Sequence, residues 1–189
     1  MKYLKTFENL TNTAENNINT YIKTHKNDID FDRIREFLDH IKSKGRLNTK
    51  TDHMALLVLT LRKINNTIIL KELWELFFEY GFNVNRKEPE HINIITVIYR
   101  DYIRNYAELP EMYYNIQDAL NKYKNVIKLL LDEGIDLLTK RTREKINFFN
   151  ILENDNNLNL FIDNFSNNEN FMKQYEIYNK EKKIREFNL

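Results

Sequence analysis

The stretch that decides the fold is IILKELWELFFEYG, residues 68–81. Two others read the same way, DRIREFLDHIKSKG at 32–45 and NKYKNVIKLLLDEG at 121–134. Each ends on one of the chain's three glycines, Gly45, Gly81 and Gly134. Counting back from each glycine, Ile34, Leu70 and Tyr123 share one position. Phe37, Leu73 and Val126 share the next, followed by Leu38, Trp74 and Ile127, and then Ile41, Phe77 and Leu130. These steps of three and four residues trace one face of an amphipathic helix. Glycine just past a helix is the common left-handed cap, because it has no Cβ to clash there. Three helices with the same apolar face and the same cap form an internal repeat.

A second helix is expected after each glycine, starting near His53, His91 and Lys145. The sequences are HMALLVLTLRK, HINIITVIYRDYI and KINFFNILEND. They are apolar on more than one face, as suits an inner helix covered by neighbours. The unit is then inner helix, loop, outer helix, glycine and polar finger. Such units bury their apolar faces only by stacking.

LWELFFEYGFNVN at 73–85 resembles the outer helix and following turn of an ankyrin repeat, as do VIKLLLDEGIDLL at 126–138 and, more weakly, IREFLDHIKSKGRLN at 34–48. The order Phe82-Asn83-Val84-Asn85 after Gly81 is close to the family's. The resemblance implies an all-α, ankyrin-like solenoid of stacked antiparallel helix pairs that binds a protein through its fingers and concave face. The Thr-Pro-Leu-His opening of the ankyrin helix is missing from every unit. The glycines lie 36 and then 53 residues apart, against about 33 for an ankyrin repeat. An irregular helical bundle whose helices end in glycine is the alternative.

The chain reads as a single domain over 1–189, with residues 1–28 as an N-terminal cap, about 30–165 as repeats and 166–189 as a C-terminal cap helix. The N-terminal cap has Ile18, Tyr21 and Ile22 among its apolar positions. The final helix is read from Phe171 to Phe187, with Met172, Tyr175, Ile177, Tyr178, Ile184 and Phe187 as its apolar residues. The long second gap implies an insertion at 104–122 that carries Tyr106, Tyr113 and Tyr114. Long insertions often carry function and tyrosine is a favoured interface residue, although these rings could equally cover a core.

Composition bounds the chemistry. The 189 residues suffice for one domain. With 42% hydrophobic and 30% charged residues, the chain is expected to be soluble and folded. The Asn, Ile and Lys bias reads as the coding bias of an AT-rich genome, so single asparagines carry little weight. Cysteine is absent, which excludes disulfides and thiolate metal sites. The first residues have no apolar core of a signal peptide. The longest apolar run, 54–61, is far short of the roughly 20 residues that span a membrane. The expected location is the cytoplasm of the producing cell or of a host.

No glycine-rich phosphate loop is possible with glycines so far apart. His25, His40, His53 and His91 form no metal-binding spacing. His53 and His91 open equivalent inner helices, which marks a repeat position. Glu72, Glu75 and Glu79 read as a solvated face. No enzyme, cofactor or metal is therefore expected, and a helical enzyme without a motif is the least favoured reading.

One charge pattern recurs. Each glycine is followed by basic residues: Arg46 and Lys50; Arg86 and Lys87; Lys140, Arg141, Arg143 and Lys145. The segment 153–170 carries Glu153, Asp155, Asp163 and Glu169 and no base. At a net charge of +1 there is no global field for nucleic acid. Opposite local charges suit the steering of a partner, or are simply solvated. The expected partner is a protein with an acidic surface. The partner-binding set is Arg46, Lys50, Phe82, Arg86, Lys87, His91, Tyr106, Tyr113, Tyr114, Lys140 and Arg141. Small ankyrin-like proteins include bacterial immunity proteins and host-interfering proteins of viruses and intracellular bacteria, so an inhibitor or toxin-neutralising role is implied. The alternative is nucleic-acid binding by the basic fingers, with Phe82 as a base-stacking ring.

Overall fold

A computed structural model describes residues 18–45, 53–85, 93–105, 115–139 and 146–187. The described residues contain helices and turns and no strand. No helix among them is long and apolar enough to cross a membrane. Contacts divide the chain into two compact units, 1–83 and 84–189.

The first unit holds α1 (residues 18–24), α2 (Phe31–Ser43), α3 (His53–Lys63) and α4 (Thr67–Glu79). Ile18 and Ile22 of α1 are fully buried. Asp30 caps α2 by accepting the backbone N–H groups of Asp32 and Arg33, and Asn66 caps α4 through those of Ile68 and Ile69. These bonds satisfy donors that the first helical turn leaves open. α3 starts at His53, as expected from the sequence. Its Thr60 is wholly buried, and the Thr60 hydroxyl bonds back to the Leu56 and Leu57 carbonyls. The same oxygen accepts the Trp74 indole N–H at 2.8 Å, which fastens α4 to α3.

The second unit holds α5 (Ile94–Val97, continued as a π-helix over Ile98–Arg104), α6 (Ile116–Asp132), α7 (Phe148–Asn154), α8 (Leu158–Phe165) and α9 (Glu169–Phe187). Its core combines aliphatic side chains with a cluster of aromatic rings. Tyr99, Phe148 and Phe161 meet edge to face, with ring centroids 5.6–6.0 Å apart. Phe149 packs against Phe171 and stacks on Tyr178. Edge-to-face contact favours such rings beyond the area they bury.

The expected repeat face is the buried face. Ile34, Leu70 and Tyr123 are buried, as are Leu38, Trp74 and Ile127, and Ile41, Phe77 and Leu130. Leu73 and Val126 are fully buried, whereas Phe37 is half-buried under the Arg33 guanidinium. Three expectations change. The third outer helix starts at Ile116 because Asn115 caps it, so residues 116–122, expected in the insertion, belong to α6. At the insertion's other end, Arg104 closes the π-helix. In α9 the buried residues are Phe171, Gln174 and Tyr178, while Ile177, Ile184 and Phe187 are exposed at 38%, 60% and 90%. Apolar residues occur all round that helix, so its sequence does not mark the face that packs.

Candidate protein interface

The helix ends before the expected fingers share a left-handed glycine. Gly45, Gly81 and Gly134 all have left-handed φ, at +64°, +92° and +76°. After α4, the Gly81 N–H bonds the Phe78 carbonyl and the Phe82 N–H bonds the Phe77 carbonyl. After α6, Gly134 bonds Leu131 and Ile135 bonds Leu130 in the same way. This pair of bonds is the Schellman motif, which normally brings an apolar residue after the glycine onto the last helical turn. Here Phe82 stacks on Phe77 at 4.7 Å, and Ile135 and Leu130 are both fully buried. Gly45 repeats the first of the two bonds, to Lys42.

The turns after Gly81 and Gly134 are tied down. In the first unit the Phe82 ring also stacks on the His53 imidazole at 4.3 Å, and His53 Nδ1 accepts the Asn83 backbone N–H at 3.1 Å. His53 is 2% exposed. The residue that opens α3 therefore closes the turn behind α4. In the second unit Asn85 bridges to the turn after Gly134. Its Nδ2 donates to the Gly134 carbonyl at 2.8 Å, and its Oδ1 accepts the Asp136 N–H at 2.6 Å. Asn93 donates to the Asp136 carbonyl at 3.0 Å. The Asp136 carboxylate accepts the N–H groups of Leu138 and Thr139, and the Leu137 carbonyl accepts the Phe148 N–H. Gln174 of α9 accepts from Leu137 N–H and donates to the Ile135 carbonyl. Asn85, Asn93, Asp136 and Gln174 were not among the expected site residues. Asn85 was visible in the FNVN motif, but spacing alone does not say that its amide binds a turn about 50 residues away.

Phe82 is the one expected contact residue among those described. It is 5% exposed, between Phe77 and His53. A ring so placed belongs to the core of its unit and offers neither a partner nor a base a stacking face. Arg46, Lys50, Arg86, Lys87, His91, Tyr106, Tyr113, Tyr114, Lys140 and Arg141 lie outside the described residues. Three basic stretches follow directly on described turns, at Arg46 after Gly45, Arg86 after Asn85 and Lys140 after Thr139.

The acidic segment is less free than its sequence suggests. Glu153 accepts from the Lys182 ammonium and, at 2.6 Å, from the Tyr178 hydroxyl. Lys182 and then Tyr178 hold its carboxyl below the usual range. Asp155 lies 3.4 Å from the Arg104 guanidinium and accepts the Tyr99 hydroxyl at 3.0 Å. Burial first, and then the Asp155 carboxylate, raise the Tyr99 phenol, while an Asn157 amide donating at 2.9 Å opposes them. Two of the four carboxylates in this segment are thus paired with bases of their own unit.

In the first unit, Phe31, Arg35, Glu72, Glu75, Leu76 and Glu79 line an open groove of about 280 Å³ between α2 and α4. Glu75 pairs with Lys71, and Glu79 lies 3.6 Å from Arg35. Among the described residues, no group of three histidines or carboxylates is arranged to hold a metal ion. No family model, curated protein or solved structure matches the chain.

Proposed function

We propose that this chain is a non-enzymatic protein-binding module of the ankyrin-like solenoid kind, acting as an inhibitor or neutralising partner of another protein. The observation that carries the reading is the repeated finger base. The same Schellman turn follows Gly81 and Gly134, and a basic pair follows each turn in the sequence, Arg86-Lys87 and Lys140-Arg141. A rigid base with a charged tip holds recognition residues in place at low entropic cost. Ankyrin-like stacks present successive fingers along one edge.

In this reading Arg46, Lys50, Arg86, Lys87, Lys140 and Arg141 steer an acidic partner. Tyr106, Tyr113 and Tyr114 supply contact area, together with His91 from the stretch that precedes the Asn93 cap of α5. Phe82 drops out of the set because it is a core residue. Its burial also removes the one aromatic that favoured nucleic acid, so a protein partner is preferred.

The test begins with capture of the partner by crosslinking and mass spectrometry. Association is then measured over a salt series for the native chain and for Arg86→Glu/Lys87→Glu. Rim charges act mainly on the association rate and are screened by salt. The reversal is expected to slow association and flatten its salt dependence. An association rate indifferent to both would sink the proposal. A salt-dependent shift of labelled DNA or RNA, abolished by the same reversal, would move the reading to nucleic acid.

A further inference from the structure

We draw no further inference here: the strongest candidate, the groove between α2 and α4 lined by Phe31, Arg35, Glu72, Glu75, Leu76 and Glu79, is an acidic cluster in which Lys71 and Arg35 already meet Glu75 and Glu79, and nothing among the described residues points to a ligand for it.

Discussion

Trp74 is the only tryptophan of the chain, and it has no exposed surface. Replacing it with alanine removes a fully buried indole from the contact between α3 and α4. Deletions of this size cost about 3–5 kcal/mol, from lost transfer energy and from the cavity left behind. That is a large part of the roughly 5–15 kcal/mol that stabilises a typical domain. The hydrogen bond to Thr60 allows the loss to be divided. Trp74→Phe keeps most of the bulk and gives up one buried bond, a net cost of about 0.5–1.5 kcal/mol plus a smaller packing loss. Thr60 is not orphaned in that variant, because its hydroxyl still bonds back to Leu56 and Leu57. Thr60→Val does the opposite and strands the indole N–H in the core, at about 1–3 kcal/mol. Urea unfolding followed by far-ultraviolet circular dichroism ranks the three variants. The native tryptophan emission should be blue-shifted and shielded from iodide. The expected order of loss is Trp74→Ala, well ahead of Thr60→Val and Trp74→Phe. An unchanged midpoint for Trp74→Ala, or a neutral Thr60→Val, would refute the assigned packing of α4 on α3.

Glycine replacement at the turns should cost backbone strain alone, since a Cβ at Gly81 or Gly134 meets nothing within 4 Å. Gly134→Ala is expected to lose roughly 1–2 kcal/mol and Gly134→Asn less; equal losses by urea unfolding would contradict this. Glu153 is held below its ordinary value of 4.5. The native state therefore favours its charged form, and that stability is complete above pH 4.5 and is lost as the pH falls through the depressed value. Glu153→Gln should flatten the acid limb of a stability–pH curve, and an unaltered limb would show that the Lys182 and Tyr178 contacts do not matter. Tyr99 is shifted the other way from 10.0. Its contribution is complete below pH 10 and fades above it, as the unfolded phenol ionises while the folded one stays neutral. Tyr99→Phe should reduce the alkaline loss of stability, leaving the part due to Tyr178, which is raised by burial and then by Glu153; an identical alkaline limb would exclude the shift.

The three helices that end in glycine were legible because burial imposes a period of 3.6 and a left-handed residue after a helix selects glycine. Both constraints act within a dozen residues, so local sequence carries them. The start of α3 at His53 followed from the apolar run that begins there after a polar stretch. The π-helix over Ile98–Arg104 did not, because Ile98 and Ile103 are both fully buried five residues apart. That spacing suits a π-helix, but a search at α-helical period does not register it. Asparagine was misjudged outright. Treated as compositional noise, it caps α4, α5, α6 and α7 at Asn66, Asn93, Asn115 and Asn147. At Asn156, with φ +59°, it also takes the left-handed place after α7 that glycine takes elsewhere. Of the candidate interface, the turns at Gly81 and Gly134 were readable in advance, while the basic residues after them lie outside the described residues. The Asn85 bridge and the Gln174 clamp join residues far apart in sequence, where periodicity gives no signal.

Reliance on asparagine also sets how the chain ages chemically. Deamidation turns the side-chain amide into a carboxylate, and it is fastest where glycine follows asparagine, a pair this chain lacks. At Asn66 and Asn115 the change is benign, because only the side-chain oxygen is used there, accepting backbone N–H groups. Aspartate caps a helix as well as asparagine does, and its charge suits the helix N-terminus. Asn85 and Asn93 use the amide as donor as well as acceptor. A carboxylate at either site cannot donate, and would set an anionic oxygen against the Gly134 or Asp136 carbonyl. Slow chemical damage would therefore leave the helices intact and release the turn that precedes the last basic stretch of the sequence.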